Sequence, residues 1–148
     1  MIRERQLSAT EVLNAYLKQI DKHNHKLNAI AALNRERAIK REAEAGKALD
    51  EGENWGILHG VPIIIKDTSE TKGILSTADC SRLKDYVPQQ DAIAVERLKA
   101  AGAITMAKTN CPTLAADRQT NNFLLGRTNN PWNPDYTPGG SRGEVQQP

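Results

Sequence analysis

Apolar positions recur at helical spacing in the first part of the chain. Ser8 and Glu11 form a capping-box pair, in which each side chain can accept from a backbone amide of the other residue, and an apolar stripe follows them. This pattern predicts a helix over residues 9 to 22. The short apolar segment 28 to 33 then predicts a strand. The stripe of the helix consists of Val12, Leu13, Tyr16, Leu17 and Ile20.

A second helix is predicted after this strand. Asn34 belongs to a residue type that caps helices, and the residues that follow it are rich in Ala, Glu, Lys and Arg, which favour helix. We expect this helix to run to about Leu49 and to end near Gly52. Its charged side chains are interpreted as a solvent-exposed face. Residues 1–54 are therefore expected to form an N-terminal helical region.

The second part of the chain contains a run of β-branched residues and glycines of the kind that end helices. Three consecutive isoleucines at 63–65 are too short a run for a helix and predict a buried strand. Asp91 is expected to start a helix that ends at Gly102, and the apolar segment 103–107 predicts a second buried strand. The order of strand, helix and strand favours an α/β fold with parallel strand pairs.

A long irregular segment follows these elements. From Asp117 onward the chain is dense in Asn, Pro and Gly and shows no hydrophobic period. Loops of such length in compact domains are usually functional or disordered. The asparagines and Arg127 could bind a substrate or could satisfy the backbone of a buried loop, and the second interpretation is favoured. We expect one partial domain over 1–148, with the start of an α/β core over 55–141.

The composition is that of a globular protein, with 26% charged and 39% hydrophobic residues. Acidic and basic residues are interleaved and the net charge is +2, which gives no support for a nucleic-acid partner. The polar N-terminus lacks the apolar stretch of a signal peptide, and no segment has the length and hydropathy of a membrane span. We therefore expect a cytoplasmic protein. Cys80 and Cys111 are expected to be reduced and structural, because their spacing fits neither a metal nor a redox site.

Three positions could carry chemistry. Lys66 follows the isoleucine run directly, where desolvation disfavours the ammonium form and favours a neutral base, although lysines at strand ends usually reach water. His59 lies between Leu58 and Gly60 and is more simply a hydrogen-bonded structural residue than a base. Ser141 follows two glycines, so its hydroxyl would lie beside unobstructed backbone amides.

Taken together, three segments resemble the amidase signature family in motif type and in order. They read GILHGVPIIIKD, DAIAVERLKAAGAITMAKTN and QTNNFLLGRTNNPWNPDYTPGGS. The opening segment LSATEVLNAYLKQIDKHNHKLNAI is similar to the first helix of that family. The resemblance covers nearly all of the chain up to Ser141, and its most specific parts are the HGVP and KD pair and the RTNNPWN and TPGGS blocks.

The resemblance implies a fold and a chemistry. The fold would be α/β, a mixed sheet flanked by helices, of which this chain holds an incomplete N-terminal part. The chemistry would be hydrolysis or transfer of carboxamide C–N bonds by a Ser/cis-Ser/Lys triad, without metal or cofactor, on a small-molecule amide. Lys66 matches the family lysine and Ser141 matches the relay serine on its cis peptide, while Gly139 and Gly140 would contact substrate. Whether the enzyme is a hydrolytic amidase or the amide-cleaving component of a tRNA-dependent amidotransferase stays open.

The nucleophilic serine of the family, which lies further along on a second glycine-rich stretch, has no counterpart in this sequence. Where family members typically continue Ser-Gly-Gly-Ser-Ala-Ala-Ala, residues 142–148 read Arg-Gly-Glu-Val-Gln-Gln-Pro. Permitted codons for this tail encode the family sequence when they are read from the last base of the Ser141 codon. A one-nucleotide deletion at Ser141 therefore explains the whole aberrant tail.

Two functional interpretations remain open. In the first, the chain is the N-terminal part of an amidase or amidotransferase and is inactive alone, because the nucleophile and the oxyanion hole are missing. In the second, it is a non-catalytic remnant that acts in binding or assembly. In both, strands 62–66 and 103–107 would lack neighbours, and their unpaired edges would favour self-association.

Overall fold

The computed structural model describes residue 2 and residues 6–139. Helix α1 spans Ala9–Leu27 and begins with the predicted capping box. Ser8 Oγ accepts a hydrogen bond from the Glu11 amide at 3.1 Å, and the Glu11 carboxylate accepts one from the Ser8 amide at 2.9 Å. The helix is longer than the predicted 9 to 22, and its C-cap residue is Asn28, whose backbone is left-handed with a φ of 52°.

Strand β1 covers Ile30–Leu33 and helix α2 covers Arg35–Asp50, close to the predicted bounds. Asn34 precedes α2, but its side chain does not cap the helix. Instead, Asn34 Nδ2 donates to the Thr105 carbonyl at 2.8 Å. The predicted side-chain cap is wrong because an acceptor from a distant part of the chain takes the amide.

The remaining strands form a mixed sheet with β1. Strand β2 covers Pro62–Lys66, helix α3 covers Ile93–Ala100 and strand β3 covers Ile104–Thr109. The sheet order is β1-β3-β2, in which β3 pairs parallel with β2 and antiparallel with β1. The predicted α/β class with a parallel strand pair is confirmed.

The burial of the two predicted strands differs. Every residue of β3 is buried, and this strand continues past the predicted end at 107 to Thr109. In β2 Ile65 is buried and Ile63 and Ile64 are partly buried, so the prediction of a buried isoleucine strand is correct for Ile65 only. The predicted unpaired edge at 103–107 is also wrong, because β3 is central and has a neighbour on each side. Within residues 6–139, β1 and β2 are the outer strands.

The start of α3 also departs from the prediction. Ala92 is the N-cap residue and makes no side-chain capping bond. The carboxylate of Asp91 instead accepts from Lys99 Nζ at 2.7 Å and from the Lys72 amide at 2.7 Å. The acidic residue therefore joins α3 to the segment after β2, and the prediction that it starts the helix is wrong by two residues.

One apolar cluster joins the helices to the sheet. Helices α1 and α2 pack on each other, and α2 packs on β3. The apolar stripe of α1 supplies Leu13 and Leu17 to this cluster, as the spacing predicted, and small alanines of α2 allow close approach. The buried members are Leu13, Leu17, Ala38, Ala45, Ile104, Met106 and Ala107.

The segment 117–139 contains no helix or strand, as predicted from its lack of period. Several large apolar side chains of this segment and its surroundings are exposed, among them Phe123 at 93% and Trp132 at 78%. In the part of the chain that the structure describes, no helix is long and apolar enough to span a membrane.

Candidate active site

Lys66 is the last residue of β2 and lies beside Thr109, the last residue of β3. The backbone on both sides of Lys66 is held by hydrogen bonds. The amide of Asp67 donates to the Thr109 carbonyl at 3.1 Å, and the amide of Ser69 donates to the Lys66 carbonyl at 3.0 Å. Lys66 itself is partly buried. The carboxyl end of a parallel strand pair thus carries the lysine on a fixed backbone.

A second lysine, which no pattern in the sequence singles out, lies next to this position. Lys108 of β3 pairs with Ile65 and is 0% exposed. Its Nζ donates to the Ser69 carbonyl at 2.7 Å and to Ser76 Oγ at 2.7 Å. These bonds fasten the segment that follows Lys66 to the central strand.

The charge of Lys108 is balanced by the residue directly after Lys66. Asp67 is buried, and its Oδ1 lies 3.8 Å from Lys108 Nζ. The other carboxylate oxygen accepts from the Thr77 amide at 3.0 Å and from the Thr77 hydroxyl at 2.7 Å. Burial lowers the pKa of Lys108 to about 8, and the Asp67 carboxylate opposes that shift. Strand β3, the end of β2 and the segment up to Thr77 therefore form one polar unit.

The predicted glycine-serine loop is only partly described. Ser141 and Gly140 lie outside the described residues, as does the expected cis peptide. Gly139 has a φ of 80°, in the left-handed region that glycine tolerates, and its amide donates to Thr137 Oγ1 at 3.1 Å. Asn130 Nδ2 in turn donates to the Thr137 carbonyl at 3.0 Å. The loop that leads to Ser141 is therefore tied back to the asparagine-rich segment.

The side chains of that segment bind its own backbone, as the favoured interpretation predicted. Asn122 Oδ1 accepts from the amides of Leu125 and Gly126, and its Nδ2 donates to Asn110 Oδ1 and to the Cys111 carbonyl. Arg127 Nη2 donates to the carbonyls of Pro134 and Tyr136 at 3.1 and 2.9 Å. These asparagine and arginine side chains satisfy backbone hydrogen-bonding groups of a folded loop.

His59 is 1% exposed and is fully engaged by backbone groups. Its Nδ1 accepts from the Trp55 amide at 3.0 Å, so Nε2 carries the proton and donates to the Ala45 carbonyl at 3.0 Å. The structural interpretation of His59 is confirmed.

Both cysteines are reduced in the part of the chain that the structure describes. Cys80 is partly buried and Cys111 is buried, and neither forms a disulfide within residues 6–139. In the same part of the chain, no three His, Cys, Asp or Glu side chains gather in a group that could hold a metal ion.

The chain is similar to known proteins over most of its length. The family model described as Amidase matches residues 11–143. The A subunit of the glutamyl-tRNA(Gln) amidotransferase of Thermosynechococcus vestitus is 40% identical over 136 residues, covering 92% of this chain and 28% of the relative. The same subunit of Koribacter versatilis is 36% identical over 142 residues, covering 96% and 30%. The chain thus spans under a third of the length of these relatives.

Solved structures give the same picture. A bacterial aryl acylamidase of the amidase signature family superposes with a TM-score of 0.88 at 28% identity, over 97% of this chain and 30% of that one. A 6-aminohexanoate cyclic dimer hydrolase superposes with a TM-score of 0.84 at 31% identity, over 97% and 28%. The fold described above therefore matches a part of a larger known architecture.

Proposed function

Because this chain belongs to the amidase family, we propose that it carries the lysine and the relay serine of a site that cleaves or transfers carboxamide C–N bonds. The observation that supports this most directly is the extent of the family match, which runs from residue 11 to residue 143 and includes both Lys66 and Ser141. The position of Lys66 at the carboxyl end of β2, beside β3, supports the same assignment, since ligands of parallel sheets bind at that end of the strands.

In the proposed mechanism, a serine hydroxyl attacks the amide carbonyl and its proton passes to Ser141 Oγ. The hydroxyl proton of Ser141 moves at the same time to the neutral amine of Lys66, which becomes an ammonium. The same relay then returns one proton to the nitrogen that leaves as the C–N bond breaks. An acyl-enzyme and a free amine result, and Lys66 is neutral again.

Hydrolysis and transfer share this acyl-enzyme and differ in what releases the acyl group. Water as the acceptor gives a carboxylate, which is hydrolysis, and an amine as the acceptor gives a new amide, which is transfer. The relatives of this chain include both amidotransferase components and hydrolases. We propose the shared first step for this site and leave the acceptor to experiment.

The attacking serine of this proposal lies outside residues 1–148, since no serine follows Ser141 in this sequence. We propose that residues 142–148 are the out-of-frame translation of a glycine-serine loop, and that a polypeptide of these 148 residues forms no acyl-enzyme by itself. The support for this is the codon compatibility of the seven-residue tail with the family sequence. The proposal concerns the reading frame and is independent of the role of Lys66.

The test is to insert one base at the Ser141 codon in the genomic sequence and to express the resulting open reading frame. A fluorophosphonate probe, which reacts with activated serines, should label the repaired protein, and Lys66→Met should abolish labelling. Lys22→Met, which removes an exposed lysine of α1, is the matched control and should label normally.

Three outcomes would contradict the proposal in different ways. Absence of any family-like coding sequence in the downstream frames would overturn the frameshift. Full labelling of Lys66→Met in the repaired protein would overturn the role of Lys66. If the repaired protein folds but is not labelled at all, the alternative of a non-catalytic binding or assembly module would take the place of the amidase proposal.

A further inference from the structure

A cavity of about 380 Å³ lies away from Lys66, where α2 approaches the first residues of β3. The segment after β2 and the end of α3 complete its wall. Its lining carries an unusual concentration of positive charge. The charged lining residues are Arg37, Lys40, Arg41, Glu44, Lys72 and Lys99.

The helix supplies four of these side chains from one face. Positions 37, 40, 41 and 44 follow an i, i+3, i+4 and i+7 spacing, which places them along a single stripe of α2. The composition of α2 predicts only a solvated face. These four side chains are exposed, as predicted, and they also line the open cavity, so their charges act together there.

The negative charges near the cavity do not neutralise this set. Glu44 accepts from Arg41 Nη1 at 2.8 Å, and Asp91 accepts from Lys99 Nζ at 2.7 Å. Burial alone would raise the pKa of Asp91, but the hydrogen bond from Lys99, with smaller effects of Lys72, holds it below its ordinary value. Lys99 binds this carboxylate through both oxygens. The other three lining cations are Arg37, Lys40 and Lys72. Within residues 6–139, none of these three side chains forms an ion pair. The cavity therefore keeps an excess of positive charge.

An uncharged residue lines the same cavity. Thr105 is 5% exposed, and its Oγ1 is buried without a hydrogen-bond partner among the described residues. This hydroxyl is inaccessible to solvent, so the cations, and not the hydroxyl, are the groups that the cavity presents to a ligand. Arg37 is fixed at another part of the wall, where its Nη1 donates to the Gly73 carbonyl at 2.8 Å.

We propose that this cavity binds a small molecule that bears a phosphate group. A phosphate carries about −1.5 to −2 charge and several acceptor oxygens, which suits a cluster of cations better than a single carboxylate does. The cavity volume lies at the lower end of the range of about 300–1,000 Å³ for small-molecule sites, larger than a bare ion needs. The site is separate from the proposed amide chemistry and does not depend on it.

The binding test is an NMR titration of the 148-residue chain with inorganic phosphate at constant ionic strength, compared with acetate. We expect saturable shifts of the Gly73 and Thr105 amides, with phosphate binding about tenfold more tightly than acetate. The two tryptophans give an internal comparison. Arg41 lies 3.8 Å above the ring of Trp55, so the Trp55 indole signal should move, whereas that of the exposed Trp132 should not.

Substitutions then separate a specific site from general charge attraction. Lys40 and Lys72 are exposed, so Lys40→Gln and Lys72→Gln should each weaken phosphate binding about tenfold without disturbing the fold. Lys47→Gln removes the same charge two turns further along α2 than Lys40, where Lys47 pairs with Glu51 at 3.7 Å and does not line the cavity, and should leave binding unchanged. Shifts that do not saturate, or an equal effect of all three variants, would overturn the proposal.

Discussion

Lys108 Nζ lies 3.8 Å from Asp67 Oδ1, and both side chains are buried. This pair joins the central strand to the residue that follows Lys66, so it ties the candidate catalytic lysine to the most buried strand of the sheet. Lys108 also donates to Ser69 and Ser76, and Asp67 accepts twice from Thr77. A buried pair whose remaining groups are satisfied in this way resists substitution of either member.

Removing one member of the pair should therefore destabilise the fold strongly. Lys108→Met leaves the Asp67 carboxylate buried without its cation, and we expect a loss of about 3–5 kcal/mol in the free energy of unfolding. Urea denaturation of the wild type and the variant measures this loss. Lys22→Met, which changes an exposed position on α1, should lie within about 0.5 kcal/mol of the wild type.

The double variant is the control that shows whether this loss comes from the pair itself. If Asp67→Asn is combined with Lys108→Met, the total loss should be smaller than the sum of the two single losses by about 0.5–3 kcal/mol. Strict additivity would show that Lys108 stabilises the fold through Ser69 and Ser76 alone.

The lowered pKa of Lys108 makes the stability depend on pH in a defined direction. The pKa is about 8 in the folded chain and has its ordinary value of 10.5 when the chain unfolds. Between these values the unfolded state binds more protons, so the contribution of Lys108 to stability rises with pH, by at most about 1.4 kcal/mol per pH unit. The stability difference between wild type and Lys108→Met should therefore widen from pH 8 to pH 10. A constant or narrowing difference would contradict a buried lysine whose pKa is lowered by desolvation.

Local patterns predicted the helices and the parallel strand pair, whereas the side-chain contacts at the helix starts and at Lys108 depend on residues far away in the sequence. The capping box at Ser8 depends on residues three positions apart, so it was visible in the sequence. By the same local logic Asn34 was expected to cap α2 and Asp91 to start α3, but their side chains bind groups elsewhere in the chain. The predicted strand ended at residue 107, one residue before Lys108, and the residue that balances the charge of Lys108 is 41 positions away. A partner so far away in the sequence cannot be predicted from a local hydrophobic pattern.

The asparagine-rich loop gives a further prediction. Asn122 donates to Asn110 Oδ1 at 2.6 Å and to the Cys111 carbonyl at 2.7 Å. Asn122→Asp keeps the shape but places a carboxylate against these two acceptors, so we expect a loss of about 3 kcal/mol at neutral pH. Asn121→Asp, at the exposed neighbouring position, adds the same charge and should change stability little. Thermal unfolding followed by circular dichroism distinguishes the two, and equal effects would show that charge alone is responsible.

The 148-residue chain without any repair gives a chemical prediction. It contains the proposed lysine and relay serine but no serine beyond position 141, so a fluorophosphonate probe should leave it unlabelled. Mass spectrometry of the intact protein after exposure to the probe measures this. Stoichiometric labelling that Ser141→Ala removes would show that Ser141 itself acts as the nucleophile, and the proposed division of roles would then be wrong.

Two glycines of this fold should respond to alanine in opposite directions. Gly102 follows α3 with a φ of 96°, and a Cβ added here would lie 2.8 Å from the Cα of His59 and 2.9 Å from its amide nitrogen. Both atoms are backbone, and the His59 amide donates to the Gly56 carbonyl at 3.1 Å, so this neighbour cannot move aside easily. Gly102→Ala combines the clash with a left-handed backbone, and we expect a loss of about 2–3 kcal/mol in the free energy of unfolding.

Gly46 lies inside α2, and a Cβ added there would have no neighbouring atom within 4 Å. Gly46→Ala should therefore raise stability by about 0.5–1 kcal/mol, because alanine favours the helix more than glycine does. Urea midpoints of the two variants should lie on opposite sides of the wild type, and a destabilised Gly46→Ala would contradict the open space beside α2.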